Sequence, residues 1–484
     1  MRDLVAVFLG VIIMRNPLER RSWLALLLAF ALSGSSNAQG TRDTTTYRRF
    51  KAALDAIPAI DTHDHLLPFE RLLAARETDR GKGVNLAGLW ENSYYSWNHR
   101  LEPWRPGMKF DDWWQKAKHD FDDSRATSFY RYQLPAFTDL YGVDFETLTD
   151  EKARELDDRV FANYKDSTWL QKVVTERANI ELMFNDPYWD RFGFSTDYPF
   201  GVLVLNVTTL VAGFHPSEFK EPADDPYAFA VREGMTIRSL DDYLKVLDRL
   251  FVKAKEKGAV CLKTTLAYKR TLRFEDIPAE RAAQAFGRPR SELSAEQVQG
   301  FEDFIMWRLV ELSARHELPF QIHTGQARIQ GSNPMLLVDL IEANPKTKFI
   351  LFHGGFPWVG ETGVILMRHG RHVWLDSVWM PTLSYETAKR AFHEWLDVMP
   401  SSRIMWGADA NHAEGIYGAT EMTRRCLAEV LAERVDHGDL REEHALRIGR
   451  QILRDNALSL FPQLESRLWK HKAAARTVEA KQSQ

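Results

Sequence analysis

Short runs of apolar residues, each the length of a strand, recur from residue 57 to residue 462, and longer stretches with helical spacing of apolar positions separate them. The strand candidates are 57–61, 180–184, 202–205, 259–262, 320–322, 348–352, 373–375 and 404–406. Local signals mark the helices between them. The stretch 239–257 stops at Gly258, a residue suited to a left-handed C-terminal position, and Ser294 followed by Gln297 has the spacing of a capping box ahead of the fifth strand. Eight strands joined by helical crossovers predict an α/β fold, a (β/α)8 TIM barrel.

The first connection breaks the rhythm. About 110 residues, 66–177, separate the first two strand candidates, far more than an ordinary βα loop. The segment reads as several helices and carries Trp90, Trp97, Trp104, Trp113, Trp114 and Trp169. Two readings stand: a lid over the barrel mouth offering aromatics such as Tyr94, Tyr95 or Trp97, or a packed helical insertion whose tryptophans are core.

Two apolar runs open the chain, 4–14 and 23–32, and both are too short for a membrane span. Arg15, Arg20 and Arg21 precede the second run and Ser36, Asn37 and Ala38 follow it, which predicts a signal peptide over 1–38 and a mature start at Gln39. The alternative is an uncleaved anchor. The expected layout is therefore a signal at 1–38, a barrel over 39–470 with its insertion at 66–177, and a polar tail at 471–484. No cysteine stands near the cleavage site, so lipidation is not expected and the mature chain should be periplasmic or secreted, without a stable membrane anchor.

Composition narrows the function classes. The chain has 63 Lys and Arg against 67 Asp and Glu, a formal charge of −4, and no basic block, so a small-molecule substrate is expected and nucleic acid is not. Cys261 and Cys426 are the two cysteines, far apart, and thiol chemistry is not the theme.

Candidate chemistry stands where the strands end. In a parallel barrel the carboxyl ends converge on one face, so a polar residue just after an apolar run points into a shared mouth. His63 and His65 end the first strand in DTHDHL, Lys263 the fourth in VCLKTT, His323 the fifth in FQIHTG, His353 the sixth in ILFHGG, and Asp409 follows the eighth in MWGADAN. Alternate strand residues share a face, so His63 and His65 can reach one cation, and imidazole with carboxylate suits zinc or a similar divalent metal. A lone strand-end histidine is more often a satisfied core residue and a lone aspartate more often a helix cap. The joint placement carries the argument.

In order and spacing, DTHDHL, LKTTLAYKRTL, FQIHTG, ILFHGGFPW, HVWLDSVW, IMWGADANH and ILRDNALSLF resemble the amidohydrolase superfamily of metal-dependent barrels. Within it they resemble the amidohydrolase-related branch, some of whose domains are fused to glutamine-synthetase-like modules. The resemblance implies one or two divalent metal ions, zinc foremost, held by His63, His65 and Asp409, with His323 and His353 as ligands or substrate polarisers. Lys263 matches the position where binuclear members carry a carbamylated lysine bridging two metals. Otherwise Lys263 would be a cation holding a substrate anion, or a structural ion pair. Gln326 stands where deaminases that use a glutamate show an acid, which disfavours that mechanism.

The implied reaction is metal-assisted hydrolysis of a small amide, ester or lactone, with Asp409 as proton shuttle and His353 as a second catalytic candidate. Asp376 is a candidate partner behind the ligands, with capping as its plainer role. Tyr268, Lys269 and Arg270 would bind a polar or anionic substrate or simply line a solvated loop, and the same two roles stand for Trp358, Trp374, Trp379, Asn411 and His412. Two rivals remain. One is a uronate isomerase or nonhydrolytic decarboxylase, against which Lys263 and His353 argue, because the uronate isomerase pattern lacks both. The other is an exported binding protein without turnover.

Overall fold

The computed structural model describes residues 40–468, so the expected signal at 1–38 and the tail at 471–484 lie outside the described residues. Strand β1 (Ala59–Asp64) is followed by a hairpin of β2 (Ala75–Thr78) and β3 (Gly81–Val84). Then come β4 (Ile180–Asn185), β5 (Gly201–Asn206), β6 (Cys261–Thr264), β7 (Phe320–Ile322), β8 (Phe349–Leu351), β9 (Val373–Asp376) and β10 (Ile404–Met405). Leaving out the hairpin, strands adjacent in sequence are adjacent and parallel in one eight-stranded sheet. The ends of that sheet meet. The Thr62 N–H donates to the Trp406 carbonyl at 3.1 Å and the Asp409 N–H to the His63 carbonyl at 2.9 Å, which brings β1 and the chain beyond β10 together in a (β/α)8 barrel.

All eight expected barrel strands are present, with their ends shifted by a few residues. The first begins at Ala59 and not at 57, because Ile57 still donates back to Leu54 at the end of the preceding helix and Pro58 has no N–H for a ladder. Gly258 takes φ 92° beyond the helix Leu240–Glu256, and the Ser294–Gln297 capping box opens the helix Ala295–His316.

Alternation along the strands fills the barrel interior. Ile60, Leu182, Phe184, Val202, Val204, Cys261, Ile350, Trp374 and Met405 pack inward, joined by Leu460, Phe461 and Leu464 from the C-terminal segment. Asn456 Nδ2 donates to the Ser401 and Ile404 carbonyls, both at 2.7 Å, and Arg467 Nη2 donates to the Gly201 carbonyl at 2.6 Å. These carbonyls lie at or beside the amino ends of β10 and β5. The C-terminal segment therefore covers the amino end of the barrel and leaves chemistry to the other.

The insertion is mostly helical, as its periodicity implies, with Phe110–Asp122, Leu134–Tyr141 and Asp150–Asn163 as its longer helices. It also contains the β2–β3 hairpin, which the sequence reading missed. ARET and GKGV face largely outward and show no apolar alternation to betray a strand. Trp90, Trp113 and Trp114 are core: Trp90 lies 4.6 Å from Phe121 and 5.2 Å from Phe145 between ring centroids, inside an aromatic cluster belonging to the insertion.

A buried carboxylate fastens this insertion to the barrel. Glu414, in the helix Ala413–Asp436 that follows β10, accepts from Tyr141 Oη (2.6 Å) and Trp169 Nε1 (3.1 Å) at one oxygen and from Tyr164 Oη (2.5 Å) at the other. Burial pushes this carboxyl up, but His412 and the two tyrosine hydroxyls outweigh it and hold Glu414 below the usual carboxylate range. Removing one partner of a buried polar cluster leaves the others unsatisfied. Glu414→Ala is expected to destabilise the protein by about 3–5 kcal/mol, read as a lower urea midpoint; an unchanged midpoint would show that the clamp contributes nothing.

Candidate metal centre

The end of strand β1 delivers His63 and, one residue beyond it, His65 to the mouth, where both rings turn to the same carboxylate. Asp409 meets them from beyond β10, with its backbone in the left-handed region at φ 55°. An aspartate tolerates that conformation better than most residues. His65 Nε2 lies 3.4 Å and His63 Nε2 3.9 Å from Asp409 Oδ1, and one donor atom from each of the three residues falls within 4.8 Å of the others. Tyr94 of the insertion donates its hydroxyl to the same Oδ1 at 2.6 Å.

The remaining histidines face this triad across the mouth. His353 Nδ1 lies 3.8 Å from Asp409 Oδ2, and His353 Nε2 is 2.8 Å from His323 Nδ1. Three rings each turn one nitrogen to a backbone carbonyl: His65 Nδ1 to Asp186 (3.3 Å), His323 Nε2 to Gln326 (2.9 Å) and His353 Nδ1 to Val378 (3.2 Å). A carbonyl accepts, so it draws the ring proton to its own side and leaves the opposite nitrogen as a lone pair. For His323 and His353 this places two lone pairs face to face, an arrangement that a cation relieves. Outward carbonyls with inward nitrogens are the support that metal-ligating histidines require. The donor set therefore fits a divalent transition metal.

Burial sets the charge states. It lowers His63 and His353 well below the ordinary histidine value and His323 to about 3, with the Lys263 ammonium adding to each shift, so these rings are neutral at neutral pH. Lys263 is fully buried, its Nζ 3.2 Å from His63 Nε2 and 3.7 Å from the centre of the Phe352 ring. Burial brings its ammonium down to about 8 against the opposing pull of Asp186, Asp409 and Asp376. A free amine is thus accessible close to neutrality.

Beneath the histidines, carboxylates tie the strand ends together. Asp61 accepts from the backbone of His63 and Ala408, and Asp64 accepts from Ala410 N at 2.6 Å. Asp376 accepts from the Thr62 hydroxyl and from Val378 N at 3.0 Å. Burial raises Asp61 to about 6 and Asp376 to about 7. Among the described residues Asp376 makes no hydrogen bond to a histidine; it holds the N–H of Val378, the residue whose carbonyl meets His353.

All six residues singled out as metal candidates converge at this mouth, but not equally. His63, His65 and Asp409 form the tight triad, His323 and His353 pair with each other, and Lys263 stands behind His63. His412 is turned away: its Nδ1 accepts from Gly415 N at 3.0 Å as the cap of the last long helix. Trp379 faces Tyr94 and His353, with ring centroids at 4.4 and 5.5 Å, whereas Trp374 belongs to the barrel interior.

Sequence reading passed over Asp186, whose carbonyl orients His65 and whose carboxylate accepts from Asn206 Nδ2 at 2.8 and 3.0 Å. The available signal was its place at the end of the second barrel strand. Of the insertion's named aromatics, Tyr94 enters the site, Tyr95 joins the core of the insertion, and Trp97 is 66% exposed with its ring edge-on to Tyr94.

Comparison with known proteins gives the same outline. Residues 276–463 match the amidohydrolase family model. Over 220 residues, 42% of this chain, the sequence is 27% identical to protein fluG of Emericella nidulans; the match spans a quarter (25%) of that relative's length. The fold is similar to a uronate isomerase from Thermotoga maritima (TM-score 0.68, 14% identity, 86% of this chain and 97% of that one). It is also similar to a glucuronate isomerase from Caulobacter crescentus (0.67, 15%, 88% and 95%) and a putative metal-dependent hydrolase from Lactobacillus casei (0.59, 16%, 87% and 98%).

Proposed function

We propose that this chain, whose residues 276–463 match the amidohydrolase family model, is a member of the amidohydrolase superfamily and an exported metal-dependent hydrolase acting on a small amide, ester or lactone. The observation that carries the reading is the convergence of His63, His65 and Asp409, with inward nitrogens of His65, His323 and His353 set by outward carbonyls. His63, His65 and Asp409 would hold the ion, with His323 and His353 as further donors and zinc as the preferred metal. A bound divalent cation supplies an acidified water and polarises a carbonyl.

The chain's own groups do the rest. Asp409 takes the proton of the attacking water and returns it to the leaving nitrogen or oxygen, which requires one carboxylate within reach of both. Tyr94 steadies that carboxylate through Oδ1, and burial beside Asp409 raises the Tyr94 hydroxyl far enough to keep it a donor. Oδ2 looks toward His353, the second candidate for handling a proton or polarising the substrate. Lys263, with its lowered ammonium, is the group that carbon dioxide would carbamylate if a second metal is bound. The insertion covers the carboxylate and limits access of bulk water.

An isomerase reading has the fold likeness to the two sugar-acid isomerases behind it, and fold alone does not decide reaction. One experiment separates the readings. Purified protein loaded with Zn²⁺ or Mn²⁺ is offered panels of amides, esters and lactones beside uronates. Hydrolysis without uronate isomerisation is expected; isomerisation alone, or no turnover of either panel, would overturn the proposal. Export rests on the basic, apolar and small-residue pattern of 1–38, and its test is a mature N-terminus at Gln39 in protein recovered outside the cytoplasm.

A further inference from the structure

A groove of about 1180 Å³ opens on the same end of the barrel as the metal centre. Its walls come from the segments that follow three neighbouring strands: Thr208 and Thr209 after β5, Leu266 to Thr271 after β6, and Arg328 to Gly331 after β7. The second and third are stitched together, with Arg328 N donating to the Ala267 carbonyl at 3.2 Å and Leu272 N to the Gly331 carbonyl at 2.8 Å. The groove adjoins the catalytic mouth through one side chain. Tyr268 packs on His323 with ring centroids 4.5 Å apart, and the next residue, Lys269, lines the groove.

The charge of this lining runs against that of the chain. Lys269, Arg270, Arg290 and Arg328 face Glu218 and Glu302, an excess of positive charge in a protein whose formal charge is −4. Two of the four cations are already neutralised. Arg270 is paired with Glu302 and Asp303, and Arg290 with Glu218 at 2.8 Å. Lys269 makes no ion pair within 4 Å among the described residues, although Asp224 and Glu302 act on it from farther away, and Arg328 spends one nitrogen on the Lys269 carbonyl at 2.6 Å and makes no ion pair either. That hydrogen bond holds the guanidinium against the Lys269 backbone, so two cations without a direct ion pair share one wall. Val211, Phe219, Leu293 and Val298 supply apolar surface in the same groove.

We propose that this groove binds the far end of the substrate, an anionic group held by Lys269 and Arg328, while the scissile bond lies at the His63, His65 and Asp409 cluster beyond Tyr268. The substrate class is then an elongated acid: an amide, ester or lactone with an apolar stretch ending in a carboxylate or a group of like charge. This specificity rests on the hydrolase reading, but the affinity of the groove does not require turnover. Of the cations named from sequence beyond Lys263, Lys269 takes this role, and Arg270 is excluded by its own ion pairs.

The test is calorimetric titration of chelator-treated full-length protein with succinate, adipate and sebacate, each beside its neutral diamide. At least one dianion is expected to bind better than its diamide, with affinity falling as salt rises. Lys269→Gln should weaken that binding about fivefold and Lys269→Gln with Arg328→Gln at least about tenfold, the range of charge-assisted hydrogen bonds. Diamide binding should not change. Because Arg328 also braces its loop, Lys269→Glu serves as a second variant that leaves the brace intact and should abolish dianion binding. No preference for any dianion over its diamide, or equal affinity in wild type and variants, would overturn the groove proposal whatever the mouth does. Binding as expected with no hydrolysis of either neutral or acid-tailed panels would leave the groove standing and overturn the reaction.

Discussion

Replacing His63 and His65 together by alanine is expected to reduce bound metal to background and activity below detection. His63 comes from β1 and His65 from the residue just beyond its end, and they make up two of the three donors that meet within 4.8 Å. Asp409 alone would then face the ion from that side, while His323 and His353 keep their facing nitrogens 2.8 Å apart across the mouth. Two imidazoles lost from a small donor set remove most of the binding free energy of a transition metal. Elemental analysis of the purified variant measures the outcome, with circular dichroism confirming that the barrel is retained. Metal content equal to wild type would move the site away from the first strand.

Asp409→Asn separates chemistry from metal holding. Asparagine keeps the size and an oxygen donor, and it is among the few residues at ease in the left-handed backbone that Asp409 adopts at φ 55°. Tyr94 can still donate to the amide oxygen. The substitution therefore removes basicity with little change of shape, and much of the metal should remain. Turnover should fall at least ~100-fold, the contribution expected of general acid–base catalysis. Near-normal turnover in the metal-loaded variant would transfer the base role, with His353 next to test. A proportional fall of metal and activity would reduce Asp409 to a ligand.

The barrel and the chemistry on its rim were legible along the chain because strand ends are local features. An apolar run followed by His, Lys or Asp reads the same whether the strand is alone or in a sheet, and parallel topology sends those ends to one face. His63, His65, Lys263, His323, His353 and Asp409 were singled out that way, and the barrel brings them to one mouth. What the one-dimensional pattern could not rank was their mutual geometry. The pairing of His323 with His353, and the position of Lys263 behind His63 from a strand three places round the sheet, depend on how side chains converge once the barrel closes.

The sequence by itself determined that this chain builds an eight-stranded βα barrel with polar strand ends, because apolar periodicity and cap residues act over a few positions. Only the tertiary structure decided which long-range partners complete the site. Tyr94 reaches Asp409 across 315 positions, Asp186 turns His65 across 121, and Glu414 gathers Tyr141, Tyr164 and Trp169 from an insertion roughly 250 positions away. A hydrogen bond between such residues leaves no periodic trace, since it depends on chain segments meeting in space. The same reason separates Lys269 from Arg270, adjacent residues of one loop: buried carboxylates on another helix neutralise the second and leave the first open to a ligand.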